Sequence, residues 1–308
     1  MTGTPEVVIA VDVGGTSMKC ALVDIDGTVR SVRRRPTGRD RGPVAVVTNI
    51  VDTVAELAAD PGYTPRAVGL AVPGVIDADA GIAGYAANLG WRDVPFRSLI
   101  EDRLGLPTAL GHDVRAGGLA EARLGGGRGS RNLLFVAIGT GIAGAHIVAG
   151  TPLTGAHGAA AELGHVVVRP GGPRCGCGQY GCVEAFASAV SFERRYREAG
   201  GRALSAAEIL AVVDTDPRAA RVWRETVDVL ADGMLVGVAM FDPDTIVVGG
   251  GLAEAGDTLL RPLTEGLRQR ATFHGVPRLV RAELGDEAGC VGAALLGLER
   301  LARPDIKH

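Results

Sequence analysis

A strand, a tight glycine turn and a second strand occur twice in this chain, at residues 7–24 and 133–150. In both segments, VVIAVDVGGTSMKCALVD and LLFVAIGTGIAGAHIVAG, apolar β-branched runs flank the turn, as in a β-hairpin of a buried sheet. The chain has 308 residues, which exceeds the usual size of a domain with a single core. The repeat therefore predicts two related α/β lobes, each built around a sheet.

The composition and charge argue against several classes of protein. The net charge is −3, so the chain lacks the basic excess of a nucleic-acid-binding protein. The first residues lack the pattern of a signal peptide. No apolar stretch approaches the roughly 20 residues that cross a bilayer. We therefore expect a cytoplasmic protein with neither a nucleic-acid nor a membrane partner, in which the basic run RSVRRRP at 30–36 is a solvated strand end or loop.

Helical and strand patterns fill the rest of both halves. The apolar spacing predicts helices at 43–60, 94–105, 226–243 and 290–303. It also predicts a buried strand ending in a Pro-Gly turn at 67–77, a strand passing into a helix at 108–125, and a strand, glycine turn and helix at 245–263. The position of the repeat places the boundary between the lobes at residues 112 and 113, so that 1–112 and 113–289 form the two lobes.

The glycine turns are candidate phosphate-binding elements. Backbone N–H groups in the turn after Asp12, together with the Thr16 hydroxyl, can hold phosphate oxygens, and Asp12 can reach a hydrated Mg²⁺. An ordinary hairpin turn is the alternative. Two more glycine turns, at 139–141 and 249–251, favour the phosphate interpretation. No dinucleotide-binding or P-loop spacing occurs in a strand–helix context.

Three of the five cysteines, Cys175, Cys177 and Cys182, lie within eight positions. In a reducing compartment, clustered thiols are typical metal ligands. The alternatives are buried small hydrophobic residues or a redox pair, although the C-x-x-C spacing of redox pairs is absent. Cys20 and Cys290 lie in apolar patterns and are expected in the core.

The order of these motifs along nearly the whole chain resembles the ROK family of sugar kinases and repressors, in particular its glucokinase-like members. The matching motifs are DVGGT at 12–16 with Lys19, AVPGVID at 71–77, NLGW at 88–91, the aspartate at 113, IGTGIAG at 138–144, ELGH at 162–165, CGCGQYGCVE at 175–184 and IVVGGGL at 246–252. The resemblance implies a two-lobed actin/hexokinase (ribonuclease H-like) α/β fold. It also implies that the C-terminal helix 290–308 joins the N-terminal lobe, and that the chain forms dimers or tetramers.

The resemblance further implies ATP- and Mg²⁺-dependent phosphorylation of a hexose. The expected substrate is glucose, and the expected site of phosphorylation is its 6-hydroxyl. Asp113 would be the general base; the alternative role for Asp113 is a helix N-cap. The implied sugar ligands are Asn88, Asp113, Glu162, His165 and Glu184. The implied nucleotide contacts are Asp12, Gly14, Gly15, Thr16, Lys19, Gly139, Thr140, Gly141, Gly249, Gly250 and Gly251.

Three thiolates and one imidazole, from Cys175, Cys177, Cys182 and His165, make the ligand set of a closed, structural zinc site. Such a zinc would orient His165 and the neighbouring carboxylates, Glu162 and Glu184, toward the sugar. The alternative is a zinc knuckle far from the chemistry.

One position departs from the family pattern, which has Asn-Asp where this chain has His112-Asp113. His112 either orients Asp113, contacts the sugar or fills a polar gap. Three other functions stay open: a kinase of N-acetylmannosamine or another hexose, a catalytically weak sugar-binding protein, and a sugar-responsive repressor. The repressor is disfavoured because the first motif begins at Asp12, which leaves no room for a helix-turn-helix ahead of it.

Overall fold

The computed structural model describes residues 4–302, so the predicted helical residues 303–308 lie outside the described range. The chain forms two compact units. The first contains the residues up to Ala120, the segment Thr154–Ala159 and the residues from Glu287 onward. The second contains Glu121–Leu153 and Ala160–Asp286. The lobe boundary between residues 112 and 113 stays a prediction.

The described residues form short runs of strands and runs of helices. The strands are β1 (Glu6–Val13), β2 (Ser17–Asp24), β3 (Val29–Pro36), β4 (Thr64–Val72), β5 (Val75–Asp77), β6 (Ile82–Tyr85), β7 (Arg92–Val94), β8 (Thr108–His112), β9 (Asn132–Ile138), β10 (Ile142–Val148), β11 (Thr151–Pro152), β12 (Thr245–Gly249) and β13 (Arg278–Arg281). The helices are α1 (Pro43–Ala58), α2 (Phe96–Leu104), α3 (Asp113–Leu124), α4 (Val183–Ala187), α5 (Ala189–Glu198), α6 (Ala206–Ala211), α7 (Pro217–Phe241), α8 (Asp257–Arg270) and α9 (Ala288–Ala302).

The main sheet of the first unit has the strand order β3-β2-β1-β4-β8. β1 pairs antiparallel with β2 and parallel with β4, which in turn pairs parallel with β8. β1 is buried along nearly its whole length, as expected for a strand covered on both faces. A second, smaller sheet has the order β5-β6-β7.

Large and small side chains of β1 face different helices. Ile9 and Val11 pack with apolar residues of α1 and α2, and each such buried side chain contributes about 1.5–3 kcal/mol relative to exposure. Ala10 packs with alanines of α9. On that face the sheet residues are small enough for close approach: a Cβ on Gly69 would lie 1.8 Å from the Ala293 carbonyl oxygen. The size pattern of the strands thus determines where each helix packs.

The sheet of the second unit has the order β11-β10-β9-β12-β13. β9 pairs antiparallel with β10 and parallel with β12, which repeats the relation among β1, β2 and β4. The long helix α7 contributes Trp223, Leu230, Met234 and Val238 to the core of this unit. Both predicted hairpins are confirmed.

The predicted buried strand that ends in a Pro-Gly turn is confirmed, since β4 ends at Val72, the chain turns at Gly74, which has a φ of 101°, and β5 follows. The predicted helix at 226–243 begins earlier, at Pro217. Its first turns are amphipathic, with Ala219, Val222 and Trp223 buried at helical spacing and arginines on the exposed face.

The arginine-rich segment at 30–36 is largely exposed, as predicted, although it forms nearly a whole strand and not a strand end or loop. It forms the edge strand β3, where Arg33 pairs with Asp60 at 3.2 Å and Arg34 with Glu287 at 3.6 Å. Exposed pairs of this kind contribute at most about 1 kcal/mol each. Among residues 4–302, no helix has the length and apolar character needed to cross a membrane.

Candidate active site

The first glycine turn joins β1 and β2 in the first unit. The Gly14 N–H donates to the Ser17 carbonyl oxygen at 2.9 Å, and a Cβ on Gly14 would lie 2.8 Å from that oxygen, so this position requires glycine. Buried Thr37 donates through its hydroxyl to the Gly14 carbonyl at 2.7 Å and through its N–H to the Thr16 carbonyl at 2.9 Å. The turn is therefore held in one conformation, and such turns can present amides to phosphate oxygens.

Other predicted residues of the first unit lie beside this turn. Asp12 and Lys19 face each other across the β1–β2 pair, and Lys19 is only 8% exposed. The Asn88 Nδ2 atom is 3.4 Å from where a Cβ on Gly15 would lie. The Asp12 carboxylate lies against the first turn of α9, where a Cβ on Gly289 would fall 2.4 Å from its Oδ2 atom. A carboxylate is stabilised at the positive end of a helix, so α9 supports Asp12 beside the turn.

Asp113 lies at the junction of β8 and α3. Its Oδ1 atom accepts the Val114 N–H at 2.7 Å, and the same N–H lies 3.2 Å from Nδ1 of His112. The residue before the helix is His112, so the capping position belongs to His112 and Asp113 is the first helical residue. His112 Nδ1 and Asp113 Oδ1 are 3.2 Å apart. The Asp113 side chain is 28% exposed, which leaves it accessible to a ligand.

The ionisation of His112 should affect how kcat/KM changes at acid pH. Burial lowers the pKa of His112 below its ordinary 6.5, against the attraction of Asp113 and with help from Arg115. The imidazole is therefore neutral at pH 7. As the pH falls below 6.5 through this lowered pKa, an imidazolium forms beside the carboxylate and lowers the proton affinity of Asp113, the base that the resemblance implies. The stability that neutral His112 contributes is likewise present above pH 6.5 and lost over the same fall.

We therefore expect kcat/KM of His112→Asn to persist to lower pH than that of the wild-type chain, until the carboxylate itself is protonated. The measurement is sugar phosphorylation between about pH 5 and 8, a range in which the ionisation of an essential base is visible. If kcat/KM falls at the same low pH in both proteins, His112 does not determine that fall.

The thiol cluster lies in the second unit. The ligand atoms of His165, Cys175 and Cys177 all fall within 4.8 Å of one another, with His165 Nδ1 at 3.6 Å from the Cys175 sulfur. The Cys182 sulfur is 3.7 Å from that of Cys177. Three thiols and one imidazole fit the ligand preference of Zn²⁺. The structure thus brings three of the four predicted ligands, His165, Cys175 and Cys177, into one group and places Cys182 beside Cys177; the zinc site itself stays a prediction.

With no cation bound, burial favours the neutral thiol at two of the three cysteines. Burial raises the pKa of Cys175, and it raises that of Cys182 to about 12, whereas a backbone hydrogen bond involving Gln179 lowers the pKa of Cys177. A bound divalent cation would stabilise all three thiolates and release their protons. Burial also raises the pKa values of Cys20, to about 11, and Cys290. Both are buried in the first unit, which agrees with the core positions predicted for them.

Glycines shape the loop that carries the cysteines. Gly178 and Gly181 have φ values of 97° and 81°, which favour glycine. A Cβ on Gly181 would lie 1.7 Å from the Arg169 carbonyl oxygen. The Cys175 N–H donates to the Gln179 carbonyl at 2.8 Å, closing the loop. The spacing CGCGQYGC therefore encodes a compact turn as well as three thiols.

The ELGH segment packs along β10. Glu162 is half-buried and precedes a short 3₁₀ turn, Leu163–His165. Gly164 lies against Ile142, where a Cβ would fall 2.0 Å from the Ile142 carbonyl oxygen. The close approach fixes the segment that carries Glu162 and His165.

We expect Gly164→Ala to lower the free energy of unfolding by about 2 kcal/mol, because the added methyl group meets backbone atoms that cannot move aside easily. Gly275→Ala is the matched control, since nothing lies within 4 Å of its Cβ position. Thermal and urea denaturation would measure both. Equal stabilities for the two variants would contradict the packing argument.

The second and third glycine turns lie at one end of the second sheet. Gly250, at the end of β12, has a φ of 80°, and its Cβ would lie 2.5 Å from the Ile138 carbonyl oxygen at the end of β9. The second turn, 139–141, follows Ile138 directly and has an exposed Thr140. Glu184, in α4, accepts the N–H of Ile142 just after this turn at 2.8 Å.

The duplicated mixed sheet with glycine turns is the architecture of the actin/hexokinase fold, and the glucokinases and ROK hexokinases that the chain matches show that it is a sugar kinase. The sequence model of the ROK family matches residues 8–300, so the chain belongs to that family. The resemblance drawn from the sequence motifs is thereby confirmed.

Known relatives and solved structures agree with this assignment. The chain is 35% identical over 311 residues to a glucokinase of Thermotoga maritima, covering 95% of this chain and 98% of the relative. It superimposes on a ROK hexokinase from Thermus thermophilus with a TM-score of 0.85 and 33% identity, over 96% of this chain and 99% of the other. A ROK family glucokinase from Streptomyces griseus, solved with glucose and AMPPNP, gives a TM-score of 0.82 and 29% identity over 95% and 99%.

Proposed function

We propose that this sugar kinase transfers the terminal phosphoryl group of ATP to the 6-hydroxyl of glucose, with Asp113 as the general base. The observation that carries this proposal is the arrangement of the Asp113 carboxylate. Within the described residues, the Val114 N–H and the His112 imidazole both lie at Oδ1, and no hydrogen bond or ion pair reaches Oδ2. One oxygen is thus fixed by the backbone while the other stays available for a hydroxyl proton. The glucokinase relatives support glucose as the acceptor.

The proposed step follows from these positions. Asp113 Oδ2 accepts the proton of the hydroxyl, whose oxygen forms a bond to the terminal phosphorus of ATP while the bond between that phosphorus and ADP breaks. Positioning and charge neutralisation dominate phosphoryl transfer, so the glycine turns would contribute by holding the phosphates. Asp12 and Lys19 would hold a hydrated Mg²⁺ and a phosphate oxygen, and the bound Mg²⁺ would supply charge neutralisation.

The thiol cluster has a supporting role in this proposal. His165, Cys175, Cys177 and Cys182 would hold a structural Zn²⁺, whose four protein ligands leave no open position for catalysis. Asn88, Glu162, His165 and Glu184 would bind sugar hydroxyls, together with Asp113. Such polar contacts select a hexose because a buried polar group of the site that is left without a hydrogen-bond partner costs about 1–3 kcal/mol.

An ADP-release assay with a panel of sugars tests the proposal. Glucose should give the highest kcat/KM among glucose, mannose, fructose, N-acetylglucosamine and N-acetylmannosamine. No turnover with any of them would overturn the kinase assignment. Sugar binding without turnover would favour a weak sugar-binding protein.

N-acetylmannosamine is the second candidate substrate. An N-acetylmannosamine kinase of Escherichia fergusonii is 32% identical over 290 residues, covering 94% of this chain. The same panel decides between the two, since an N-acetyl group requires space beside the 2-hydroxyl position. A higher kcat/KM for N-acetylmannosamine than for glucose would assign the chain to that activity.

A further inference from the structure

The Glu184 carboxylate lies between the thiol cluster and the second glycine turn. Its Oε2 atom accepts the Ile142 N–H at 2.8 Å, and its Oε1 atom is 3.8 Å from the Cys175 sulfur. A Cβ on Gly141 would lie 2.6 Å from Oε2. The carboxylate can therefore reach Ile142 only because residue 141 has no side chain.

A second contact from the same segment reaches the other side of the turn. The Ala189 N–H, at the start of α5, donates to the Gly139 carbonyl oxygen at 2.9 Å. Within the turn, the Gly139 N–H donates to the Gly141 carbonyl oxygen at 2.9 Å. Glu184 and Ala189 both follow Cys182 closely in the chain, so one segment holds the turn at both of its ends.

The anchoring of this segment also begins at the cluster. Cys182 immediately precedes α4, and the Val183 N–H donates to the Val166 carbonyl oxygen, one residue after His165, at 3.0 Å. Glu184 is the second residue of α4, a helix of only five residues that begins directly after Cys182. A movement of the cysteine loop would therefore also displace Glu184. The turn itself is glycine-rich, so its own side chains offer little to fix its conformation.

We propose that Glu184 is a positioning residue that couples the thiol cluster to the second glycine turn, and so sets the affinity for the nucleotide. This role is separate from contact with the sugar, and it rests on the proposed function, in which that turn holds phosphate. Loss of the carboxylate would free the Ile142 N–H and let the turn relax. Nucleotide binding would then weaken although Glu184 touches no nucleotide.

Calorimetric titration with MgADP, in the absence of sugar, tests the coupling. A charge-assisted hydrogen bond to a backbone N–H contributes enough that Glu184→Ala should weaken ADP binding by about 10-fold. Glu184→Gln retains an oxygen for the Ile142 N–H and should recover part of that loss. Gly141→Ala should also weaken binding, since its methyl group displaces the carboxylate. Glu198→Gln, at an exposed carboxylate of α5 paired with Arg194, is the matched control and should bind ADP as the wild-type chain does.

Amide hydrogen exchange of residues 139–144 provides a readout that does not depend on nucleotide. Exchange should be faster in Glu184→Ala than in the wild-type chain, and faster again after a chelator removes bound metal. Weakened ADP binding together with faster exchange supports the proposal, and unchanged ADP affinity or unchanged exchange overturns it. If the wild-type chain binds no ADP, the proposed function fails, and the exchange rates alone decide the coupling. Circular dichroism confirms that each variant is folded.

Discussion

Asp113→Asn should lower kcat for sugar phosphorylation by about 10²–10⁴-fold, the usual contribution of a general base. Asparagine has nearly the same size, and its side-chain oxygen can still accept the Val114 N–H that holds Oδ1. The amide has no carboxylate oxygen to take a proton at the Oδ2 position. The variant should therefore fold and bind sugar, with an affinity within about 10-fold of the wild-type value. Steady-state kinetics and calorimetric sugar titration measure the two effects separately.

Asp102→Asn is the control for this substitution, because Asp102 is an exposed aspartate on α2 of the same unit. It should leave both kcat and sugar affinity unchanged. The assignment of the base would be wrong if Asp113→Asn retained kcat within about 3-fold of wild type, since a removed base costs far more.

Cys175→Ser should remove the bound metal, lower the unfolding temperature and reduce phosphorylation. The serine hydroxyl is a poor zinc ligand, so the loop would lose the metal that cross-links His165, Cys177 and Cys182 and would keep only its backbone hydrogen bonds. A stability loss of about 3 kcal/mol corresponds to a fall of roughly 6–12 °C in a unit of this size. Metal content by mass spectrometry of the purified protein, calorimetric unfolding and kinetics provide the three measurements.

Cys290→Ala is the matched control for the thiol. Cys290 is buried in α9, with its sulfur 3.9 Å from the Ala10 carbonyl oxygen, away from the cluster. This variant should keep the metal of the wild-type chain, even if the lost packing lowers its stability slightly. Metal-free wild-type protein, or a Cys175→Ser variant with full metal content, would contradict the assignment of the cluster.

The sequence predicted the elements that depend on residues close together in the chain. Both hairpins follow from β-branched runs around a glycine turn, and the cysteine cluster follows from its spacing within one loop. Asp113 was placed correctly at the junction of a strand and a helix. The roles of these residues came from the family resemblance, because spacing alone does not separate a base from a helix cap.

Contacts between residues far apart in the chain could not be predicted in this way. Thr37 holds the first glycine turn, and Gly289 admits the Asp12 carboxylate at the start of α9. Neither residue belongs to a motif, and each acts through a neighbour that only the folded chain brings near. The link between Glu184 and Ile142 is of the same kind, since 42 positions separate the two residues. The role of a glycine outside any motif can be recognised only when the atoms around its Cβ position are known.

Phosphorus NMR of a reaction with MgATP and glucose tests the central claim most directly. The account predicts a phosphate ester at the 6-position of glucose, formed one for one with ADP by the wild-type chain and nearly absent with Asp113→Asn. Release of inorganic phosphate without a sugar ester, or ester formation that continues unchanged in Asp113→Asn, would contradict it.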